Sequence, residues 1–194
     1  MIFFRLVNMS VTHSYRPSAF EKERHYRLTA EGITIECESF QPVFISYDSI
    51  NAIHLTFDPS RFDTNKYVCK MYYNREVTWI SSSHYVSMGT FENRGASYRA
   101  FLMALHQNLS HFQSIRYKRG IAYAKYYALL FLVFVTIFLV SWALISWFPS
   151  SNGLILFRLM VFAYMIWASY GYFKKNKPGN YDPLSIPADL LPDA

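Results

Sequence analysis

The chain has 194 residues, 52% of them hydrophobic, and a formal net charge of +6. The positive charge is concentrated in two short segments and does not form a long basic stripe, so the sequence does not predict nucleic acid as a partner. The two cysteines, Cys37 and Cys69, lie in predicted strands with no second pair nearby. Their placement indicates neither a zinc site nor a disulfide framework, and it favours a reducing compartment.

Residues 1–20 are predicted to be an extension ahead of the folded domain. The apolar start, Met1 to Val7, has no basic segment before it and no small-residue cleavage site, so it does not resemble a signal peptide. Met9 is an alternative natural start, and in that case residues 1–8 would be poorly ordered.

Residues 21–113 have the pattern of a small domain of short strands followed by a helix. Alternating apolar and polar residues predict strands over 25–29, 33–38, 42–46, 50–57, 66–73, 76–82 and 84–90. Asn74-Arg75 predicts a tight hairpin turn. Helical spacing follows over roughly 96–112, and it predicts one buried face formed by Tyr98, Phe101, Leu102, Leu105, Leu109 and Phe112.

Residues 126–173 are predicted to form a transmembrane helical hairpin. The segments 126–148 and 154–173 are each long and apolar enough for one crossing, which needs about 20 residues. The turn-forming segment between them has no charge, whereas both outer flanks are rich in Lys and Arg. This asymmetry predicts that the N- and C-termini are both cytoplasmic.

A basic connector, residues 114–125, precedes the hairpin. Its sequence is compatible with one helix that runs from the domain into the first crossing. Seven cations flanking the hairpin are candidates for contact with the membrane surface or its lipids: Arg116, Lys118, Arg119, Lys125, Lys174, Lys175 and Lys177. Arg158 lies inside the second segment and has two interpretations. It is either an anchor at the outer interface or a contact to a partner or a lipid phosphate.

The tail, residues 174–194, is rich in proline but retains apolar side chains. Tyr181, Leu190 and Leu191 predict that it packs on its own domain or on a partner. A second candidate for partner binding is the loop that contains Arg61 and Phe62, because loops on rigid scaffolds often carry binding residues. The alternative for this loop is an ordinary solvated connection.

Three stretches resemble bacterial pleckstrin-homology-like (PH-like) domain membrane proteins: Tyr26 to Ile33, Ile45 to Ile50, and Tyr98 to Leu102. The resemblance implies an α+β fold, in which a PH-like antiparallel β-barrel of about seven strands is closed by one C-terminal helix and followed by a transmembrane helix pair. The turn Ala30-Glu31-Gly32 lacks the basic cluster that phosphoinositide-binding PH domains carry at their first hairpin. Phosphoinositide binding is therefore not implied.

No catalytic, cofactor-binding or metal-binding residues are predicted, because the six histidines are scattered singly and no nucleophile has a base nearby in the sequence. The sequence therefore predicts a non-catalytic integral membrane protein. Its cytoplasmic domain is expected to scaffold or recruit a protein partner at the membrane, which the resemblance implies is a bacterial inner membrane. The alternative is an anionic-lipid-binding sensor or a lipid-handling accessory protein, and homo-oligomer formation stays open.

Overall fold

The computed structural model describes residues 11–112, 114–147 and 152–192. The chain divides into two compact units. One comprises the residues up to Lys118 together with those from Asn180 onward, and the other comprises Arg119–Gly179. Residues 1–8, for which the sequence raised an alternative start, lie outside the described residues. So do residues 148–151, which include the end of the first predicted crossing and part of the predicted turn.

The first unit begins with a four-stranded antiparallel sheet in chain order: β1 (Thr12–Tyr15), β2 (Arg24–Leu28), β3 (Gly32–Cys37) and β4 (Phe40–Ser46). Tyr26 and Ile35 face each other and are buried, as alternation on a half-buried sheet requires. The sheet already starts at Thr12, inside the segment expected to be an extension, because β1 pairs with β2 along its whole length.

A second sheet has three consecutive strands at its centre: β5 (Ile50–Phe57), β6 (Tyr67–Tyr73) and β7 (Glu76–Ser81). Between β6 and β7, Asn74 and Arg75 have φ of 41° and 71°, which is the conformation that a two-residue hairpin turn needs. The predicted tight turn is therefore confirmed. The next hairpin, β8 (Ser83–Ser87) and β9 (Thr90–Asn93), forms a separate two-stranded sheet.

Helix α1 (Gly95–Leu109) contributes one buried face to the core of the first unit. Five of the six residues predicted for its apolar face are fully buried, namely Tyr98, Phe101, Leu102, Leu105 and Leu109. The rings of Phe101 and Tyr26 lie 6.2 Å apart, so α1 packs on the first sheet. The helix ends at Leu109, and Phe112 is half-buried in the chain that follows.

The basic connector does not continue α1. It contains a short strand, β10 (Arg116–Arg119), and a partner strand, β11 (Gly179–Asn180), follows the helix pair. Both belong to the second sheet, whose order is β11-β10-β5-β6-β7. The expectation of one helix running from the domain into the first apolar segment is therefore wrong, because the chain turns and pairs as a strand between them.

The strands do not form one closed barrel in the part of the chain that the structure describes. They form three sheets of four, five and two strands. The chain leaves the first sheet through a 3₁₀ turn, Tyr47–Ser49, and leaves the second at Ser82, whose N–H donates to the Tyr67 carbonyl. The α+β class is confirmed, whereas the closed barrel implied by the PH-like resemblance is not observed.

The second unit contains two long apolar helices, α2 (Tyr123–Trp147) and α3 (Asn152–Lys175). Both are long and apolar enough to cross a membrane, over Tyr123–Ala143 with a mean hydropathy of 2.2 and over Leu156–Lys175 with a mean hydropathy of 1.2. Neither of these stretches is buried inside the protein. Exposed apolar helices of this length are costly in water and favourable in lipid.

The beginning of α2 lies beside the end of α3. The Ile121 N–H donates to the Asn176 carbonyl at 3.1 Å, and the rings of Tyr126 and Phe173 are 5.5 Å apart. Gly120 has φ of +71°, and a Cβ on it would lie 2.4 Å from the carbonyl oxygens of Asn176 and Lys177. Only glycine fits this turn. Because the start of α2 lies beside the end of α3, the two helices are antiparallel.

Candidate functional site

The outer edge of β4 is an exposed surface of the first unit. Within the described residues, β4 pairs with β3 on one side and with no strand on the other. Its residues from Phe40 to Phe44 are all exposed, and the Phe44 side chain is 55% exposed. The strand carries no charged residue. Natural proteins usually protect such an edge with charged side chains, proline or bulges.

Two protective features act on only the first half of β4. Pro42 removes one backbone donor, and the pairing with β3 has an irregularity between Ile35 and Cys37. The second half, Val43–Ser46, is in regular register with Gly32–Ile35. Gly32 makes this close pairing possible, because a Cβ there would lie 2.2 Å from the Ile45 carbonyl oxygen.

The edge of β7 differs from that of β4. The Trp79 carbonyl oxygen accepts hydrogen bonds from the hydroxyl groups of Tyr15 and Tyr26, the second at 2.9 Å. The ring Nε2 of His13 lies 2.8 Å from the Ser81 carbonyl oxygen. Side chains from the first sheet and its neighbours therefore occupy backbone acceptors of β7. On β4, the Ser49 hydroxyl donates to the Ser46 carbonyl at 2.7 Å, and within the described residues no strand pairs with the outer edge.

The loop containing Arg61 and Phe62 is exposed, as expected for either of its interpretations. The Arg61 guanidinium lies 5.7 Å from the centre of the Phe62 ring, which is 61% exposed. A Cβ built on Gly89, in the β8–β9 turn, would be 3.6 Å from this ring. Met88, beside that glycine, is 88% exposed. Together, Phe62 and Met88 form a small apolar patch.

The tail packs on its own domain. Leu190 and Leu191 are buried, and the Arg99 side chain donates to the Pro192 carbonyl at 3.5 Å. The Tyr181 hydroxyl lies 2.8 Å from Nε2 of His106. All three tail residues that were candidates for partner binding therefore pack within the first unit. This is the other outcome that the sequence left open, packing of the tail on its own domain.

His106 fixes the geometry of this tail contact. Its Nδ1 lies 2.7 Å from the Leu102 carbonyl oxygen, so Nδ1 carries the proton and donates. Nε2 is then the acceptor, and the Tyr181 hydroxyl donates to it. Burial lowers the pKa of His106 to about 4, although the hydrogen bond to the Leu102 carbonyl acts to raise it. The imidazole is therefore neutral near pH 7.

The cations predicted to contact the membrane surface or its lipids are divided between the two units. Lys125 follows the start of α2, and Lys174, Lys175 and Lys177 lie at the end of α3, where the helix ends are adjacent. A Cβ built on Gly179 would lie 3.7 Å from the Arg119 side chain. Arg116 and Lys118 are exposed on β10 in the first unit. Arg158 is half-buried near the opposite end of α3.

Sequence reasoning missed a serine–histidine pair. Nδ1 of His13, on β1, lies 3.0 Å from Oγ of Ser97, on the first turn of α1. Burial lowers the pKa of His13 to about 4. The hydrogen bond to Ser81 acts to raise this pKa, and the nearby charge of Arg94 acts to lower it further. A base this weak is poorly matched to proton transfer at neutral pH. We interpret the pair as a link between α1, β1 and β7.

The cleft beside this pair is polar and has a volume of about 650 Å³. Arg94 lines it, but its guanidinium already donates to the Ser14 carbonyl and hydroxyl and to the Glu23 carboxylate at 2.7–2.9 Å. Partial burial acts to raise the pKa of Glu23, but the hydrogen bonds from Arg94 and Ser14 to its carboxylate outweigh this and lower it. The Arg94 cation is therefore paired within the protein. The other charged residues that line the cleft are one cation and one carboxylate, Arg27 and Glu36.

Metal and thiol chemistry find no support among residues 11–112, 114–147 and 152–192. These residues contain no group of three or more His, Cys, Asp or Glu side chains placed to hold a metal ion. Both cysteines are free, and burial raises the pKa of the Cys69 thiol to about 12, which makes it unreactive.

Comparison of the chain with protein-family models, with curated proteins and with solved structures gave no match.

Proposed function

We propose that this protein is a non-catalytic membrane anchor whose cytoplasmic domain recruits a protein partner at the bacterial inner membrane. The partner is bound as an extended segment that adds a strand to the outer edge of β4. The observation that carries this proposal is the open, uncharged second half of β4, Val43–Ser46, in regular register with β3. Strand addition uses backbone hydrogen bonds for affinity and side-chain pockets for specificity.

The packing of the tail supports a two-crossing topology. Residues ahead of α2 and residues after α3 belong to the same compact unit, with Tyr181 hydrogen-bonded to His106 and Leu190 buried. They can meet only if both lie on one side of the membrane, so the helices between them cross it an even number of times. The Lys and Arg residues at that end of the helices favour the cytoplasm.

A PH-like architecture is compatible with the order of the elements. A four-stranded meander is followed by a three-stranded one, β5 to β7, and α1 packs on the sheets after an additional hairpin. PH-like domains use the same order of two antiparallel sheets and a final helix, as the resemblance of the sequence implies. Because one fold hosts many functions, the proposed activity rests on the β4 edge and not on this likeness.

The topology can be tested with reporters fused after Ala194 and inserted between Ser151 and Asn152. We expect the C-terminal reporter to be active in the cytoplasm and the inserted reporter to be active outside it. Replacement of Lys174, Lys175 and Lys177 together with Glu is expected to weaken this orientation, because it removes the positive charges that retain the flank. Reporters that locate both positions on one side would contradict the two crossings.

The strand edge can be tested with three matched substitutions: Phe44→Lys on β4, Phe62→Lys in the loop and Phe20→Lys as a control at a fully exposed phenylalanine. Each full-length variant is purified from its native membrane in mild detergent, and the co-purifying proteins are quantified. We expect Phe44→Lys to reduce partner recovery at least about tenfold, as for a central aromatic contact, and the other two to retain it. Each sample also needs a thermal unfolding curve to show that the domain is folded.

The same experiment separates the two candidate surfaces. Loss of the partner in Phe62→Lys alone would locate binding at the predicted loop and contradict the β4 proposal. Loss of self-association in Phe44→Lys, with no other protein recovered, would instead identify a second copy of this chain as the strand that pairs with β4.

The cations at the base of the helices favour the second candidate function, anionic-lipid binding. Lys125, Lys174 and Lys175 lie where the ends of α2 and α3 meet, and each cation near a membrane surface contributes roughly 1 kcal/mol toward anionic lipid. If lipid is the principal ligand, vesicle association of the full-length protein should select anionic lipid and should weaken steeply with salt. Partner recovery would then be insensitive to Phe44→Lys.

A further inference from the structure

Helices α2 and α3 each carry a hydroxyl group on their outer surface, far from the helix ends. Tyr164 of α3 is 66% exposed, and Thr136 of α2 is exposed as well. The Tyr164 ring lies 6.1 Å from the Trp167 ring, and its hydroxyl has no hydrogen-bond partner among the residues that the structure describes. The Thr136 hydroxyl donates to the Leu132 carbonyl at 2.8 Å, so its oxygen can still accept. The surface therefore offers one donor and one acceptor.

Both hydroxyl groups lie at the same height along the helix pair. The rings of Tyr126 on α2 and Phe173 on α3 are 5.5 Å apart and mark one common level. Thr136 is ten residues after Tyr126, and Tyr164 is nine residues before Phe173. At a rise of about 1.5 Å per residue, the two lie about 15 Å and about 13.5 Å from that level. Each is also at least seven residues from the nearest end of its apolar stretch, and therefore deep within it.

Both residues also lie on the same side of the helix pair. Val140 of α2 and Met165 of α3 line the groove between the two helices. Thr136 comes four residues before Val140, and Tyr164 comes one residue before Met165. At about 100° per residue, each is rotated away from the groove in the same sense along its own chain, by about 40° and about 100°. Because the helices are antiparallel, the same sense directs both side chains to one side of the pair.

This placement is unfavourable in lipid unless the donor finds an acceptor. In the proposed membrane crossing, the level of Tyr164 and Thr136 is in the hydrocarbon, where no water is present to bond a hydroxyl hydrogen. Membrane helices satisfy such groups by hydrogen bonds to another helix. Since the Tyr164 hydroxyl has no partner within one copy of the described chain, its acceptor belongs to another molecule.

We propose that two copies of this chain associate through this side of α2 and α3, and that the Tyr164 hydroxyl of each copy donates to the Thr136 hydroxyl oxygen of the other. A twofold axis along the membrane normal keeps equal heights together, so one rotation forms both hydrogen bonds. A donor and an acceptor at one height on one surface are complementary to a second copy. The dimer rests on the proposed membrane insertion of the helices and is independent of the β4 edge.

The same surface allows the two copies to approach closely. Ala168 and Gly171 follow Tyr164 by four and seven residues, so all three lie on one face of α3. Ala168 is exposed, and a Cβ built on Gly171 would have no neighbouring atom within 4 Å. Small residues at a helix surface let the backbones of two membrane helices come close together. They therefore leave room for a second copy beside the Tyr164 hydroxyl.

The test is energy transfer between two fluorescent forms of the full-length protein, tagged after Ala194, in vesicles of phosphatidylethanolamine and phosphatidylglycerol. Only protein that resists alkaline extraction from the vesicles is measured, over a range of protein-to-lipid ratios. We expect a dimer, and we expect Tyr164→Phe to weaken it about tenfold, because the symmetric dimer loses two hydrogen bonds at once. Tyr170→Phe is the matched control, since Tyr170 is 64% exposed on the same helix but lies nearer the lysine-rich end.

Three further variants test the acceptor and the close approach. Thr136→Val keeps the side-chain shape and is expected to weaken the dimer as much as Tyr164→Phe, and the double variant no more than either, because both remove the same hydrogen bond. Ser169→Ala is the control for Thr136→Val, since the Ser169 hydroxyl also donates within its own helix, to the Met165 carbonyl at 2.8 Å. Gly171→Leu should weaken the dimer as well, although the added side chain has open space in one copy.

An inserted protein that stays monomeric at every protein-to-lipid ratio would overturn the dimer, and so would equal association of Tyr164→Phe and Tyr170→Phe. Additive losses in the double variant would overturn the pairing of the two hydroxyl groups. Association that is lost in Phe44→Lys and kept in Tyr164→Phe would locate self-association at the β4 edge instead. Extraction of the protein by alkali would contradict membrane insertion itself, and the dimer with it.

Discussion

Substitution of Leu105 by Ala is expected to lower the free energy of unfolding of the first unit by about 2–5 kcal/mol, the usual cost of removing a buried leucine side chain. Leu105 is 0% exposed on α1, between the equally buried Phe101 and Leu109. The helix packs on the first sheet and Leu105 is fully buried, so the substitution leaves a cavity in a close-packed interior that can collapse only partly.

Cys69 allows the stability of this unit to be measured without interference from the membrane helices. Its side chain is fully buried on β6, whereas Cys37 is half-buried, so Cys37→Ser leaves one protected thiol. The rate of Cys69 labelling as a function of urea then reports opening of the core. Met103→Ala is the matched control, because Met103 lies on the same helix and is 54% exposed. A cost below about 1 kcal/mol for Leu105→Ala would contradict a core position for this residue.

The strands with strong alternation could be predicted from the sequence, and the short ones could not. Ile33 and Ile35 on β3 and the apolar positions on α1 each have a clear period, and the structure buries them. By contrast, β1 has the sequence THSY and β10 has the sequence RYKR, with four residues each. β1 pairs with the next strand, β2, whereas β10 pairs with β5 and β11, which are distant in the chain. Neither four-residue sequence has enough alternation to predict a strand.

The candidate sites follow the same division. A strand near Val43 to Ser46 was predictable, but its position at a sheet edge depends on the order of all strands in space. The contacts of His13 with Ser97 and of His106 with Tyr181 join residues 84 and 75 positions apart. A single histidine in a polar context gives no sign of such a partner. The apolar tail was informative because Leu190 and Leu191 are unusual in a disordered segment.

Acid is expected to destabilise the first unit strongly between about pH 6.5 and pH 4. Burial lowers the pKa of both His13 and His106 from 6.5 to about 4. In that range the unfolded chain binds a proton on each histidine and the folded chain does not, so unfolding takes up protons and stability falls as the pH falls. The loss is on the order of 3 kcal/mol for each histidine, at about 1.4 kcal/mol per pKa unit.

Two other titratable groups, His84 and Glu23, also contribute to the pH dependence of stability. Partial burial and the charge of Arg94 also lower the pKa of His84, which adds a smaller effect of the same sign. Glu23 has a lowered pKa because Arg94 and Ser14 donate to its carboxylate, although its partial burial opposes this, so its contribution is lost only in stronger acid. The steepest change between pH 6.5 and 4 should therefore come from the two buried histidines.

Removal of each histidine tests its share of this effect. His13→Gln and His106→Gln are each expected to reduce the pH dependence of stability by up to about one proton, because each removes one group that titrates only after unfolding. The measurement is urea-dependent labelling of Cys69 with a pyridyl disulfide, which reacts with thiols in weak acid as well as at neutral pH. His111→Gln is the control, since His111 is exposed after the end of α1. An unchanged slope in both buried-histidine variants would show that these imidazoles are accessible to protons in the folded protein, and that the tail contact of His106 with Tyr181 does not exclude water.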